Sequence, residues 1–458
     1  MRPQVIFFSL ITVLFMVILF LFDGTGDGGD SVLHYLYAHH VIEHPKNLFN
    51  HWTKPLFTLL ASSFAYWGFT GIKLFNALCA LITAILVSDI VKNFGWKMPL
   101  LASSIFLLIP YNLLVIFSGL TEPLFALMIS LGISLTIRKK IALAAVVVSF
   151  LPFVRSEGLI YLGVFASYLI IDKKWKYLPL LIIGHAVYGI SGLIYYDTIL
   201  WPFTRIPYVG KENYGSGKPS HFIKQLFYVV GFTIYILMWL GVIDKVIRFF
   251  KKDRDSKHIH IETWLIYGFS VAFIVAHTLF WWLGLFHSMG LIRVLLGIAP
   301  LLAIIAYRGV MLIYDLIPKK PFAMAWVCLV LAFAVIHPVL SKKPIKSLKA
   351  LNLNESQNAL INLGNKYASA DNVYLYANPF VSVAFNVDHF DRSSHSNDWS
   401  LVDDPDQQNL LVIWDNWFTP VEAGVTLEAL KKNELLQEVD RVTDQEGNAT
   451  IVVFKRKD

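Results

Sequence analysis

Charge is scarce in this chain. Lys, Arg, Asp and Glu make up 16% of its 458 residues, against about 25% in a soluble globular domain. With 56% hydrophobic residues, this shortage excludes an ordinary soluble enzyme. The long apolar runs that take the place of charge mark a polytopic membrane protein. Cysteine is nearly absent as well. Cys79 and Cys328 are the only two and both sit inside apolar runs, so neither a structural disulfide nor a metal-ligand spacing is expected. No Gly-rich phosphate loop follows a strand, which argues against a nucleotide-binding fold. The internal repeats on which many transporters are built are also missing. The formal net charge of +7 is no nucleic-acid signature. The basic residues lie mostly in short loops between apolar runs, where they set orientation and meet anionic lipid.

What is present begins with an uncharged run, Val5 to Phe22. No small-residue cleavage site follows it, so it reads as a retained helix rather than a signal peptide. About eleven spans are predicted: 4–22, 70–91, 99–117, 120–137, 141–154, 157–171, 178–199, 222–243, 262–284, 289–307 and 322–340. Alternate loops carry Lys92/Lys97, Arg138-Lys139-Lys140, Lys173/Lys174/Lys176, the run Lys245 to Lys257, and Arg308/Lys319/Lys320. Those loops are expected in the cytoplasm. That puts the N-terminus inside, and it puts loops 23–55 and 200–221, with everything after residue 340, outside. The loop 200–221 is aromatic, basic and rich in Gly and Pro, a composition that suits a mobile substrate loop or any long exposed loop.

Residues 341–458 change character. They are polar and mixed, and read as a small extracytoplasmic α/β domain following a transmembrane domain of residues 1–340. Strands are predicted at 371–377, 409–415 and 449–455, and helices at 355–368 and 426–436.

Four stretches could carry chemistry. Just past the first span, three acids, Asp23, Asp27 and Asp30, stand within eight residues. Asp30 opens "DSVLHYLYAHHVIEHP", a helical pattern with Val32, Leu33, Leu36, Tyr37 and Val41 on its apolar side. It is too short and polar to span, so it should lie along the interface. Asp30 is expected at the N-cap, either as a plain cap or as an ionised general base, with His34 on the same face. Asp23 and Asp27 read as solvated loop residues. Next comes "FNHWTKPLFTLL", in which Lys54 either snorkels or joins His51 in facing the same cavity as Asp30. Glu122, in "FSGLTEPLFALMIS", stands in a first helical turn, where an acid is favourable by itself. Arg293 is a lone cation in an apolar run and should meet headgroups, a cavity or an anion.

The predicted spans 141–154 and 157–171 are short. About 14 residues at about 1.5 Å each reach about 21 Å, against a hydrocarbon core of about 30 Å. Their turn, "LPFVRSEGLI", would place Arg155 and Glu157 near membrane depth. There they either pair with each other or face a polar cavity.

These motifs resemble the membrane glycosyltransferases of the GT-C class. "GDSVLHYLYA" resembles the acidic first outer loop of that class, and "WTKPLFTLL" the segment that follows it. "LTEPLFAL" and "LPFVRSEGLIYL" are similar to Glu-Pro and Arg-Pro-Glu-Gly segments of the mannosyltransferase-like branch, and "GLIRVLLGIAPLLAI" to its late Arg-containing helix. "LLVIWDNWFTPVEAGVTLEAL" resembles the extracytoplasmic domain of some bacterial members. In the related protein mannosyltransferases and aminoarabinose transferases the acid is commonly Asp-Glu. Here it is Asp30-Ser31, and Arg-Pro-Glu-Gly is Arg155-Ser156-Glu157-Gly158.

The resemblance implies transfer of a sugar, mannose or a similar hexose or pentose, from a polyprenyl-phosphate donor to a lipid, glycan or protein acceptor on the outer face, with inversion. It implies Asp30 as the general base. Asp27, His34, His51, Lys54, Glu122, Arg155, Glu157 and Arg293 would line the substrate site, with Arg293, Arg155 and Lys54 as the cations for the phosphate. No cofactor or divalent metal is required, because the donor carries its own activation. A bacterial inner membrane is the expected setting. The rival readings are a lipid-linked sugar flippase and a surface-polysaccharide ligase or polymerase. A flippase would need its essential charges along a path open to both sides.

Overall fold

The computed structural model describes residues 3–207, 215–251, 258–340 and 349–457. Part of the predicted outer loop 200–221, part of the basic run Lys245 to Lys257, and the predicted domain boundary after residue 340 lie outside the described residues.

The chain opens with α1 (Pro3–Leu21), then a short α2 (Asp30–His39) and α3 (Pro55–Ala65). In α1 only Phe15 and Leu19 are buried, as befits a helix whose surroundings are lipid. In α2, Val32, Leu36 and Ala38 are buried, while Leu33 and Tyr37 of the predicted apolar side are half-buried. The central layer follows: α4 (Phe69–Asn93), α5 (Pro99–Leu107), α6 (Pro110–Ile116), α7 (Glu122–Ile137), α8 (Ile141–Ser149) and α9 (Gly158–Ile171). Nearly every side chain of α7 is buried, because α4 and α8 pack along it. Then come α10 (Ile183–Ser191), α11 (Leu193–Tyr196), α12 (Trp201–Thr204), α13 (His221–Val230), α14 (Phe232–Phe250), α15 (Ile259–Ile261), α16 (Phe269–Trp282), α17 (Ala299–Leu316) and α18 (Lys320–Leu340).

Among the described residues, five helical stretches are long and apolar enough to cross a membrane, or seven if two bent pairs are each one span: the five are Pro3–Leu21, Phe69–Asn93, Ile259–Trp282, Ile292–Leu316 and Lys320–Leu340. Their number and apolar length mark a multi-pass membrane protein. Several predicted spans are not single straight helices. The span 99–117 breaks between α5 and α6 with a bend of 73°, where Pro110 withholds the N–H that would continue the helix. The span 222–243 breaks between α13 and α14 by 119° at Gly231, whose φ of +78° is left-handed. The region 178–199 begins as a 3-10 helix containing Pro179 and never becomes one continuous helix. The span 289–307 starts as a 3-10 helix over Ile292–Ile298 and runs on as α17 to Leu316. Arg308, expected in a loop, is therefore inside a helix, where it meets Asp244 at 2.8 Å.

After residue 349 a five-stranded sheet forms, in the order β2-β1-β3-β5-β4. Its strands are β1 (Val373–Tyr376), β2 (His395–Ser396), β3 (Leu410–Asp415), β4 (Leu436–Thr443) and β5 (Ala449–Arg456). β1 lies parallel to β2 and β3, and β5 runs antiparallel to β3 and β4. β3 is buried along its whole length, as a central strand covered on both faces must be. The three predicted strands are β1, β3 and β5. The predicted helix 426–436 is shorter, Leu427–Lys432, because Leu436 already begins β4.

α14 and α17 pack along each other with glycine against backbone. A Cβ on Gly309 would lie 1.9 Å from the Leu237 carbonyl oxygen, and one on Gly241 would lie 1.9 Å from that of Ile305. Small residues are what allow such an approach inside a membrane. Gly309→Val should therefore destabilise the protein by about 1–3 kcal/mol. Thermal unfolding in detergent would show this as a lowered Tm, whereas valine at the open Gly163, where a Cβ meets nothing within 4 Å, should not lower it comparably.

Candidate active site

The site begins where α1 ends. Lys73, 3% exposed on α4, donates to the Phe22 carbonyl at 2.8 Å and draws the chain exit inward. Asp27 then caps α2: its Oδ1 accepts the amides of Gly29 and Ser31, each at 3.0 Å. Asp30 is the first helical residue and makes no cap bond. Capping thus falls to Asp27 and not to Asp30, and Asp27 is a tied residue, not a solvated one. Asp23 is tied too, accepting the Leu353 amide at 3.0 Å. Ser31 Oγ donates to the Thr25 carbonyl (2.5 Å) and accepts the Gly119 amide (2.6 Å). Asn76, fully buried, holds the Ser118 and Leu120 carbonyls at 2.7 and 2.8 Å. The acidic loop and the turn that launches α7 are therefore one hydrogen-bonded unit.

Two arginines organise the charges. Arg293, in the 3-10 segment before α17, donates to both Asp27 and Asp30, and its Nε lies 3.9 Å from Glu122. Arg155, in the turn after α8, lies 2.7 Å from Glu122 through Nη1 and 2.7 Å from Glu157 through Nη2. Its Nη1 also donates to Thr121 Oγ1 at 3.0 Å. His277 Nε2 stands 3.4 Å beyond Glu157. The result is an alternating chain from Asp27 and Asp30 through Arg293, Glu122, Arg155 and Glu157 to His277. Buried charges are tolerable only when paired in this way. Among the described residues, Glu122 Oε2, Arg155 Nε and His34 Nδ1 are buried and lack a hydrogen-bond partner.

A cavity of about 440 Å³ opens on this chain. Asp30, His34, Trp52, Lys54, Arg155 and Glu157 form its polar side, and Leu159, Ile160, Phe280, Phe286, Leu291 and Val294 its apolar side. Lys54 sits just before α3 in the left-handed region, with φ of +68°. Its ammonium lies 2.8 Å from Ser156 Oγ and 3.5 Å from His51 Nδ1. Burial pulls its pKa down to about 7. His34 stacks on Trp52, ring centroids 5.2 Å apart. Burial holds the His34 pKa at about 3, so its imidazole is neutral. His51 is likewise held at about 3, by burial first and then by the neighbouring Lys54.

Of the residues singled out from the sequence, Asp30, His34, Lys54, Arg155 and Glu157 share the cavity. Asp27, Glu122 and Arg293 stand behind it within the charge chain. His51 does not line it; it backs Lys54, with Phe153 and Trp201 around it. The snorkelling readings of Lys54 and Arg293 give way to burial and pairing. Arg155 and Glu157 do pair, and Arg155 reaches Glu122 as well. Ser156, Thr121, Asn76 and His277 were not anticipated. Only His277, one histidine in the apolar run of α16, carried a readable signal.

No family model matches this chain, and no curated protein matches it. Among solved structures, ArnT from Cupriavidus metallidurans in the apo state is similar, with a TM-score of 0.61 and 10% sequence identity. The match covers 99% of this chain and 98% of that one. At that identity the likeness establishes a common fold over the whole length.

The shared arginines have a measurable consequence. Arg155→Met leaves Glu122 and Glu157 without their common partner and should cost about 3–5 kcal/mol, the usual loss when one member of a buried charge pair is removed. Arg155→Lys keeps the charge but not the two-armed geometry and should fall between the two. Thermal unfolding of the three purified proteins checks the order.

Proposed function

We propose that this protein is a glycosyltransferase of a bacterial inner membrane. In this reading it moves a sugar from a polyprenyl-phosphate donor to an acceptor on the extracytoplasmic face, with inversion, using Asp30 as general base. The observation that carries the reading is the placement of Asp30, Lys54 and Arg155 around one cavity whose other wall is apolar. A lipid-linked sugar phosphate has those same two halves, an anionic head and a hydrocarbon tail. The fold shared with ArnT supports the same class.

The chemistry follows from the groups present. The acceptor hydroxyl attacks the anomeric carbon while the bond from that carbon to the phosphate oxygen breaks. The hydroxyl proton passes to a carboxylate, and the polyprenyl phosphate leaves with one added negative charge. Asp30 suits the proton better than Asp27. Both oxygens of Asp27 are engaged, one by two amides and the other by Arg293, whereas the Asp30 side chain is 41% exposed and borders the cavity. The charge that develops on the leaving phosphate is best met by Lys54, whose ammonium is held by the Ser156 hydroxyl and the His51 ring and not by a carboxylate, with Arg155 beside it. Stabilising that charge in a partly dry site supplies much of the rate.

A flippase accounts less well for the distribution of charge. The chain from Asp27 to His277 gathers where α7 and α9 begin, at Glu122 and Gly158. A second ionic group, Asp244, Lys245, Arg248, Glu262 and Arg308, involves the far part of α14 and α17. Between Glu122 and Ile137, α7 is packed shut with buried side chains, about 24 Å of helix at about 1.5 Å per residue.

Asp30→Asn should bind a polyprenyl-phosphate sugar as wild type does and lose about 100-fold or more in turnover, in a transfer assay over a panel of hexose and pentose donors. Equal turnover would reduce Asp30 to a structural residue. Donor binding should also depend on pH. The donor phosphodiester keeps one charge throughout, while Lys54 with a pKa of about 7 is charged below that pH and neutral above it. Affinity should be level below pH 7 and weaken by up to about tenfold per unit above it. Lys54→Met should bind weakly and without that slope, by titration calorimetry.

A further inference from the structure

The loop that carries Asp27 and Asp30 is held from two sides. Arg293 and Gly119 hold it from the helical body. On the other side, separate segments of the C-terminal α/β unit reach it. The Gly24 amide donates to the Leu351 carbonyl at 2.7 Å, and the Leu353 amide donates to Asp23 at 3.0 Å. Gln357 Nε2 donates to Thr25 Oγ1 at 2.9 Å, and that hydroxyl in turn donates to the Asp27 carbonyl at 2.5 Å. Phe418 lies against Gly29, where a Cβ would come within 3.3 Å of the ring.

Gln357 is 5% exposed and divides its amide between two tasks. Its oxygen accepts the Asn354 amide at 3.1 Å, completing the capping box of the helix Glu355–Tyr367. Its nitrogen goes to Thr25. We propose that Gln357, acting through Thr25, is a positioning residue for the acidic loop, and that the C-terminal unit serves to brace that loop at the geometry transfer requires. The kinetic part of this proposal rests on the transferase reading above. The physical need is plain: Asp27 and Asp30 are like charges sharing one guanidinium, and a loop containing Gly24, Gly26, Gly28 and Gly29 would otherwise let them spread. Misplacement of a reacting group by about 1 Å can cost about 100-fold in rate.

The test uses the full-length protein with Gln357→Glu, Thr25→Val and Thr25→Ser. Gln357→Glu keeps the oxygen that caps the helix and removes the N–H that reaches Thr25. Gln357→Glu and Thr25→Val should each lower kcat about tenfold or more, with the donor KM within about twofold of wild type. Thr25→Ser, which keeps the hydroxyl, should restore most of the rate. The double variant should be no worse than the poorer single one, since both break one path. By hydrogen exchange, the Gly29 and Ser31 amides, which are bonded to Asp27, should lose protection by about tenfold or more in Thr25→Val. Unchanged kcat, a raised KM with kcat kept, or a Thr25→Ser as impaired as Thr25→Val would overturn the proposal. If the wild-type protein transfers sugar from no donor, the transferase reading falls by itself. The exchange measurement then decides: unchanged protection at Gly29 and Ser31 overturns the brace, and lost protection upholds it.

Discussion

The sharing of two guanidinium groups among four carboxylates is the constraint on which the rest of this structure depends. Arg293 serves Asp27 and Asp30 and approaches Glu122, while Arg155 serves Glu122 and Glu157. Removing either cation would leave carboxylates facing one another in a poorly hydrated place, where charge interactions are strong. The elements that carry these residues are distant in sequence: the exit of α1, the start of α7, the turn before α9, and the 3-10 segment before α17. Their convergence is therefore a tertiary fact, and the ion pairs are the reason those four places must meet.

Irregular backbone is what makes the meeting possible. The turn of Leu151–Phe153 places Arg155, and the 3-10 stretch Ile292–Ile298 places Arg293. The left-handed Lys54 turns its chain into α3. Backbone outside a regular helix must find its hydrogen bonds and its space in the surrounding protein or beside a cavity. Here the cavity and the irregular segments coincide. Asn76 illustrates the cost being met: a buried amide on a regular helix supplies the hydrogen bonds that the turn at Ser118–Leu120 cannot make internally.

Much of this was legible in the sequence, for identifiable reasons. Apolar runs and basic loops pointed to a membrane protein because lipid leaves few alternatives for backbone and charge. β1, β3 and β5 were readable as short β-branched and aromatic runs, whereas β4, with Gln437, Glu438, Asp440 and Arg441, hides its strand character behind charge. The residues of the charge chain were readable one at a time, because an ion inside an apolar run is conspicuous. Their partners were not. Nothing in the spacing says that Arg293 meets Asp27 across most of the chain, or that Asp27 rather than Asp30 caps α2. Breaks within spans were half-legible: Pro110 and Gly231 are visible in the sequence, but whether such a residue kinks a helix or ends it depends on what packs around it.

The alternating chain of charges also bears on how such a site can change over generations. Each arginine is touched by more than one acid, so replacing either arginine strands at least two carboxylates at once. Drift in that row would require compensated exchanges in the same lineage, and the row should resist divergence. The opposite wall of the cavity, with Leu159, Phe280, Phe286 and Val294, is under no such bookkeeping. Each of its side chains can be traded for another apolar one at modest cost. That wall can therefore be reshaped one residue at a time without disturbing the ionic row opposite it.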